Sequence, residues 1–178
     1  RSPQDAIKRG VALVTEDRKG QGLLLKLSVI VNTTISGLKQ LARGGIINLG
    51  KEEALVKDMI RQLSIKTPTP QFLVVNMSGG NQQKVILARW LSVGTRIFIL
   101  DEPTRGIDVG SKSEIYQIMA DLTKQGVGII MISSELPEVL GMSDRIMVMR
   151  QGTIVHELSR AEATEEAIMY YAVGNEAA

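Results

Sequence analysis

An α/β fold with a mainly parallel sheet is the architecture that this 178-residue sequence predicts. Three observations point to it. RIFILD (Arg96 to Asp101) and VGIIMIS (Val127 to Ser133) are continuous apolar runs, the pattern of parallel strands buried on both faces. The segments between and around them carry apolar residues at helical spacing. Strands and helices therefore alternate, which is the order that builds a parallel sheet.

The elements follow in chain order. GVALVTED (Gly10 to Asp17) is a short apolar run ending in polar residues and predicts a buried strand, after which RKGQG supplies glycines for a turn. Ser28 to Leu41 is mixed, with a helical tendency towards its end. Lys51 to Leu63 predicts a helix: Ala54, Leu55, Met59 and Leu63 recur at helical spacing, and Glu52 and Glu53 favour its start. The prolines of KTPTPQ (Lys66 to Gln71) end it. In VVNMSGGNQQKVILARWLSVG a polar glycine turn opens a helix carrying Val85, Ile86, Leu87, Trp90 and Leu91. Ser111 to Lys124 predicts an amphipathic helix with Ile115, Ile118, Met119 and Leu122 on one side, and a short helix follows from Glu135. RIMVMR and TIVHEL flank Gln151-Gly152 as a hairpin, and Ala161 to Ala172 predicts a last helix. Helical character dominates residues 30–92, which predicts a helical subdomain carried by a sheet-containing core of residues 1–29 and 93–178.

Composition removes several classes of function. The chain is 44% hydrophobic and 22% charged, ordinary for a globular protein. Aromatic residues make up only 3%, so the core must be aliphatic, with eight Met among its candidates. A net charge of +2, with Lys and Arg spread along the chain, gives no basic patch for nucleic acid. With no Cys there is neither a disulfide framework nor a thiolate metal site. His156 is the single histidine and sits in a predicted strand; it reads as structural or solvated, because a lone His makes a poor metal site. No apolar run approaches the roughly 18 residues that span a bilayer, and RSPQDAIKRG lacks a signal-peptide apolar region. A cytosolic setting follows, with membrane contact through a partner.

Three segments carry chemistry. RIFILDEPT places Asp101 and Glu102 at the carboxyl edge of a parallel sheet, where such sheets hold their ligands. An acid there can hold Mg²⁺ and a second can orient or deprotonate an attacking water, although both could also simply cap and solvate the strand end. SGGNQQK (Ser78 to Lys84) offers a Ser N-cap, two glycines that let backbone approach a ligand, and a helix N-terminus suited to an anion. An ordinary Ser-capped helix would look the same. Gly106-Ile107-Asp108 adds a third acid, or a plain turn before the helix at Ser111.

Taken together and in this order, SGGNQQK, a helix, an apolar strand with DEPT, then GID and another helix, the set resembles the ATPase domain of ABC transporters. In that family the Ser-Gly-Gly motif is the signature, LDEPT is the Walker B segment and the GID aspartate belongs to the D-loop. SSELPEVLGMSDRIMVMRQGTIV (Ser133 to Val155) resembles the segment beyond the family's switch loop. VTEDRKGQG and NMSGGNQQKV look most like the second, C-terminal ATPase domain of monosaccharide-importer ATPases, and the likeness runs from about Gly10 to Gly174. The resemblance implies a P-loop NTPase-like core with a helical subdomain and a C-terminal β-hairpin, and the use of ATP and Mg²⁺. It implies as partners a second ATPase domain, transmembrane permease subunits and, indirectly, a sugar-binding protein, with the chain on the cytoplasmic face of a bacterial inner membrane. On this resemblance Asp101 holds Mg²⁺ and Glu102 is the water-activating base. Ser78, Gly79, Gly80, Asn81, Gln82 and Asp108 contact nucleotide, chiefly that bound on the opposite domain. The Q-loop glutamine is replaced by Glu16 and the switch histidine by Ser134. Serine cannot act as an imidazole donor near a γ-phosphate, and Glu16 adds negative charge unless Mg²⁺ or a base offsets it. The resemblance leaves two roles open: half of an ATPase engine for a sugar importer, or a non-catalytic module that completes a partner's site.

GGIINLGKEE (Gly44 to Glu53) contains Gly-x4-Gly-Lys but continues with Glu52 where a phosphate loop needs Ser or Thr. No strand leads into it, so it predicts a glycine turn entering the helix. In the family the phosphate loop lies upstream of the Q-loop, and the nine residues before Gly10 contain no glycine. The expectation is a chain that starts after its Walker A loop. Such a chain by itself binds ATP weakly or not at all, and its exposed sheet edge favours self-association.

Overall fold

The computed structural model describes residues 2–174; of the 1–178 span predicted for the domain, residues 1 and 175–178 lie outside the described residues. Two compact units divide the chain between Ile132 and Ser133.

The first unit opens with α1 (Pro3–Lys8), whose start is fixed by a reciprocal Ser2–Asp5 capping box. Three strands follow at intervals, β1 (Val11–Val14), β4 (Ile97–Asp101) and β5 (Gly128–Ile132), and pair in parallel in the order β1-β4-β5. Val14 stands opposite Leu100, and Asp101 opposite Ile132, so the carboxyl ends of the strands share one edge. Between β1 and β4 the chain builds α2 (Val29–Thr34), α3 (Leu38–Leu41), α4 (Leu49–Gln62) and α5 (Gly79–Leu91). A two-stranded hairpin, β2 (Ala42–Arg43) and β3 (Ile46–Ile47), turns at Gly44 and Gly45. Both glycines have positive φ, as a tight hairpin turn requires. GGIINLG is therefore a hairpin running into α4, which is capped by Asn48 accepting from the Lys51 amide. No strand–loop–helix phosphate cradle forms there.

The buried stripe of α4 differs from the predicted one. Glu52, Val56, Met59 and Leu63 are buried, whereas Ala54 is exposed. The stripe includes an acid because the Glu52 carboxylate accepts a 2.7 Å bond from the Thr34 hydroxyl on α2, which satisfies it away from water. Helix α5 is buried almost all round, from Gln82 to Arg89. It packs against α2, α4, α6 (Val109–Lys124) and β1, so no side of it needs a polar face.

The strands are not buried on both faces as their composition predicts. Val14, Phe98 and Leu100 point to the helix-covered side and are buried, while Leu13, Ile97, Ile130 and Ile132 alternate to the other side and are exposed. Apolar composition follows from both faces, but burial requires a layer on each, and Leu13, Ile97, Ile130 and Ile132 remain exposed on theirs.

The second unit is built from α7 (Leu136–Met142), β6 (Arg145–Arg150), β7 (Thr153–Ser159) and α8 (Glu165–Val173). β6 and β7 form an antiparallel hairpin whose Gln151 and Gly152 both have positive φ, the turn that matches strand twist. Ile146, Val148, Leu158 and Ile168 make its core, with Leu136, Val139 and Leu140 packed against them. His156 on β7 stacks on Tyr171 of α8 at 3.6 Å between ring centroids, which gives the lone histidine a packing role. The last helix begins at Glu165 rather than Ala161, because Thr164 caps it by accepting from the Ala167 amide.

Candidate functional site

Residues from three places in the first unit meet at the carboxyl edge of its sheet. β4 ends in Asp101, and Glu102 follows at φ 48° with its amide bonded to the Ile132 carbonyl. A non-glycine residue in the left-handed region is uncommon, and it turns the Glu102 side chain off the strand line. Asp101 and Glu102 are both half-buried. The residues after Glu102 form a tight loop closed by Arg105 N–H on the Glu102 carbonyl and Ile107 N–H on the Thr104 carbonyl. Asp108 then caps α6, accepting from the Ser111 amide at 2.9 Å. That bond, with help from the Ser111 hydroxyl, holds the Asp108 carboxyl below its ordinary range. Asp108 is exposed and ionised at neutral pH, and it serves a cap in the chain itself.

The glycine turn lies beside this loop. Ser78 caps α5 in an extended conformation, with its hydroxyl accepting a 2.9 Å bond from the Asn81 amide nitrogen Nδ2. Asn81 Oδ1 in turn accepts from the Lys66 backbone amide at 2.7 Å. Gly79 and Gly80 are required by close approach. A Cβ at Gly79 would fall 2.7 Å from Arg18 Nη2 and 3.0 Å from the Gly106 carbonyl, and one at Gly80 would fall 2.5 Å from Ser111 Cβ. Ser78 is exposed, whereas Gln82 is buried and donates to the Val74 carbonyl at 3.1 Å. Gln82 thus anchors the short helical turn Val74–Asn76 that leads into Ser78, and its side chain is buried rather than presented beside Ser78.

The turn after β1 supplies the third part. Glu16 is exposed at the strand end and pairs with the Arg105 guanidinium. The charge that the sequence leaves open at this position is therefore offset by a base from the loop after β4. Asp17 accepts from the Gly20 amide and opens a π-helical turn over Arg18–Gly22, a local form that recurs at functional sites. Arg18 Nη1 and Nη2 donate to the Arg105 and Gly106 carbonyls at 2.5 and 2.8 Å. Burial pushes the guanidinium below its usual pKa. Glu16, Asp17, Arg18, Lys19 and Arg105 line a cleft of about 320 Å³.

Ser134 belongs to the second unit. It is exposed, and the neighbouring Ser133 hydroxyl donates to Glu138 at 2.5 Å while accepting from the Glu135 amide. Of the predicted residues, then, Glu16, Ser78, Gly79, Gly80, Asn81, Asp101, Glu102 and Asp108 lie in one unit around one edge. Arg18 and Arg105 are additions that the sequence reading missed. Arg105 carries a signal in the sequence, as a cation three residues beyond Glu102, whereas Arg18 stands in the glycine turn RKGQG with no local pattern to mark it.

The donor set suits Mg²⁺ rather than a tightly caged metal. Asp101 and Glu102 offer hard carboxylate oxygens, and among the described residues there is no cluster of three or more His, Cys, Asp or Glu. Magnesium is commonly held by one or two carboxylates, waters and nucleotide phosphates, which fits this edge.

The family model described as ABC transporter matches residues 3–105. A putative ribose/galactose/methyl galactoside import ATP-binding protein of Rhizobium etli is 56% identical over 173 residues, covering 97% of this chain and 33% of the relative. The ribose import ATP-binding protein RbsA of Oceanobacillus iheyensis is 54% identical over 174 residues, covering 98% and 35%. The chain thus spans about a third of the length of the curated relatives it matches. Among solved structures, an ATP-binding cassette of an ABC transporter in its ADP conformation superposes with TM-score 0.73 at 21% identity, covering 99% of this chain and 69% of that one. A nucleotide-free cassette superposes at 0.74 with 22% identity, covering 99% and 70%. These structures share the fold, in which an α/β core carries a parallel sheet. The motif order, the matched model and the cassette fold coincide on the same residues: the chain belongs to the ABC transporter family of ATP-binding domains.

Proposed function

We propose that this chain is part of the ATP-hydrolysing subunit of an ABC importer that powers monosaccharide uptake, corresponding to the second ATPase domain of such subunits. The observation that supports the reading is that the loop after Asp101 and Glu102 is shared: Arg105 pairs with Glu16, and Gly106 and Ser111 lie against the Gly79–Gly80 turn, in a chain whose relatives are sugar-import ATP-binding proteins. Asp101 holds Mg²⁺, which supplies charge neutralisation on the phosphates when bound. Glu102 orients and deprotonates the attacking water. Ser78, Gly79 and Gly80 present hydroxyl and backbone N–H groups to the γ-phosphate of nucleotide held on a second domain, where a helix N-terminus favours negative charge. Asn81 sets the Ser78 hydroxyl. Glu16 and Ser134 take the Q-loop and switch positions. The partners are the second ATPase domain, permease subunits at the cytoplasmic face of the inner membrane, and through them a sugar-binding protein.

A second reading, a non-catalytic module completing a partner's site, is favoured by one observation: Glu16 is already paired with Arg105. Glu102→Gln in the full-length protein separates the two. The catalytic reading expects turnover to fall on the order of a hundredfold or more, the usual worth of a general base; unchanged turnover gives the site to the partner domain. The 178 residues alone bind Mg-ATP weakly, since among the described residues the one Gly-x4-Gly-Lys segment is a hairpin and helix.

A further inference from the structure

We propose that Arg18 is a positioning residue that ties the Ser78–Gly80 turn to the loop after β4, so that the segment following β1 sets the nucleotide-facing geometry of α5. Three contacts converge on its guanidinium. It donates to the Arg105 and Gly106 carbonyls, and Gly79 packs so closely on it that a Cβ would lie 2.7 Å from Nη2. Gly106, at φ 64°, brings its carbonyl to the same spot, 3.0 Å from where the Gly79 Cβ would stand. The fork of two parallel donors is what arginine supplies and lysine does not.

The turn carrying Arg18 is held at its other end too. The Gly22 carbonyl accepts a 2.6 Å bond from Arg89 Nη1 on α5, and a Cβ at Gly22 would meet Ile86 of the same helix at 2.9 Å. Residues 16–22 therefore bridge α5 to the loop 105–106: Gly22 is fixed to the helix body, Arg18 to the loop and to Gly79, and Glu16 to the Arg105 side chain. Arg18 Nε is buried without a hydrogen-bond partner. The two carbonyl bonds therefore decide where the guanidinium sits. Displacing the Glu16 end of this bridge moves Arg18, and with it the backbone against which Gly79 rests.

The inference rests on the reading that Ser78 and Gly79 face a γ-phosphate, and it is tested in the full-length protein with Mg-ATP and Mg-ADP. Arg18→Met is expected to lower kcat/KM for Mg-ATP on the order of tenfold, the worth of one charged hydrogen bond. Affinity for Mg-ADP, which lacks the group the turn addresses, is expected to stay within about twofold. Arg18→Lys, which keeps the charge without the fork, gives an intermediate loss and carries the test if the Met variant folds poorly. Gly79→Ala runs in parallel. If Gly79→Ala impairs turnover and neither Arg18 variant does, the positioning role is overturned while the site reading stands. If Gly79→Ala has no effect, the site reading itself fails. Equal losses of ADP affinity and turnover in the Arg18 variants would mark a role in stability alone and overturn the proposal.

Discussion

Arg89 shows how a single residue organises the subdomain under the site. It is buried, with Nε and Nη1 donating at 2.6 Å to the Asn32 and Gly22 carbonyls and Nη2 at 2.9 Å to Asn32 Oδ1. These partners are carbonyl and amide oxygens, and desolvation lowers its pKa. Three charge-assisted bonds, each about 1.5–3 kcal/mol, compete with a burial penalty of several kcal/mol. The decisive term is what a substitution leaves behind: Arg89→Met strands two buried carbonyls. Its cost is therefore about 2 kcal/mol, read as a lower urea midpoint with an unchanged slope. Asn32, with no exposed surface, is the matching hub, its amide donating to the Leu24 and Ser28 carbonyls at 2.9 and 3.0 Å. Neither residue stands out in the sequence, where LARWL reads as a helical stripe and VNTT as an undecided stretch. The acids at the strand end were legible because an apolar run ending in Asp-Glu is a pattern of neighbours in sequence. Arg18 was not, because its partners lie 87 and 88 residues away.

Between elements, a buried charge links α5 to α6. Lys84 is almost fully buried and donates to the Ser64 carbonyl at 2.9 Å and to Glu114 Oε2 at 2.8 Å; Lys66 reaches the other Glu114 oxygen at 3.1 Å. The Lys84 side chain is 2% exposed and that of Glu114 39%, so the two ends respond differently to loss of the partner. Glu114→Gln leaves an ammonium that cannot return to water and costs about 2–3 kcal/mol. Lys84→Met leaves a carboxylate that can turn to solvent and keep Lys66, and costs about 1 kcal/mol or less. Equal effects from the two in chemical denaturation would contradict this ordering. The bond from Lys84, then that from Lys66, lowers the Glu114 pKa. A depressed carboxylate pKa gives stability that is fully present above the unfolded value of about 4.3 and is lost as pH falls through the lower folded value. The difference in urea midpoint between wild type and Glu114→Gln should therefore be full at neutral pH and shrink below that unfolded value. Lys84 itself lies inside SGGNQQK, yet the sequence pattern cannot tell a ligand-facing lysine from one pinned beneath the helix.

For the whole molecule, the open side of the sheet governs solution behaviour. Leu13, Ile97, Ile130 and Ile132 are 40–50% exposed on one side of three paired strands, an apolar face beside exposed edges. The 178-residue chain should associate with rising concentration in sedimentation velocity, and Ile130→Lys should shift it towards monomer; identical profiles would argue against the face. Calorimetry of the same chain with Mg-ATP should give a dissociation constant weaker than about 100 μM, and micromolar binding would overturn the weak-binding proposal.

By itself the sequence determined the class of fold, the parallel strands, the hairpin at Gln151-Gly152 and the placing of Asp101, Glu102 and the Ser78 cap at element ends. These follow from local patterns: apolar runs, helical spacing, caps and turn residues act within a few positions of one another. It also marked the Gly-x4-Gly-Lys segment as unfit for a phosphate loop, because Glu52 stands where such a loop needs Ser or Thr; the short strand Ala42–Arg43 that leads into its glycines, which the sequence did not predict, belongs to an antiparallel hairpin. Only the tertiary structure decided which face of the sheet is covered, that Glu52 is buried against Thr34, that Gln82 points inward and that Glu16 meets Arg105. Burial and pairing between distant segments depend on which layers exist and where they pack, and residues 16 and 105 share no pattern that a linear reading can join.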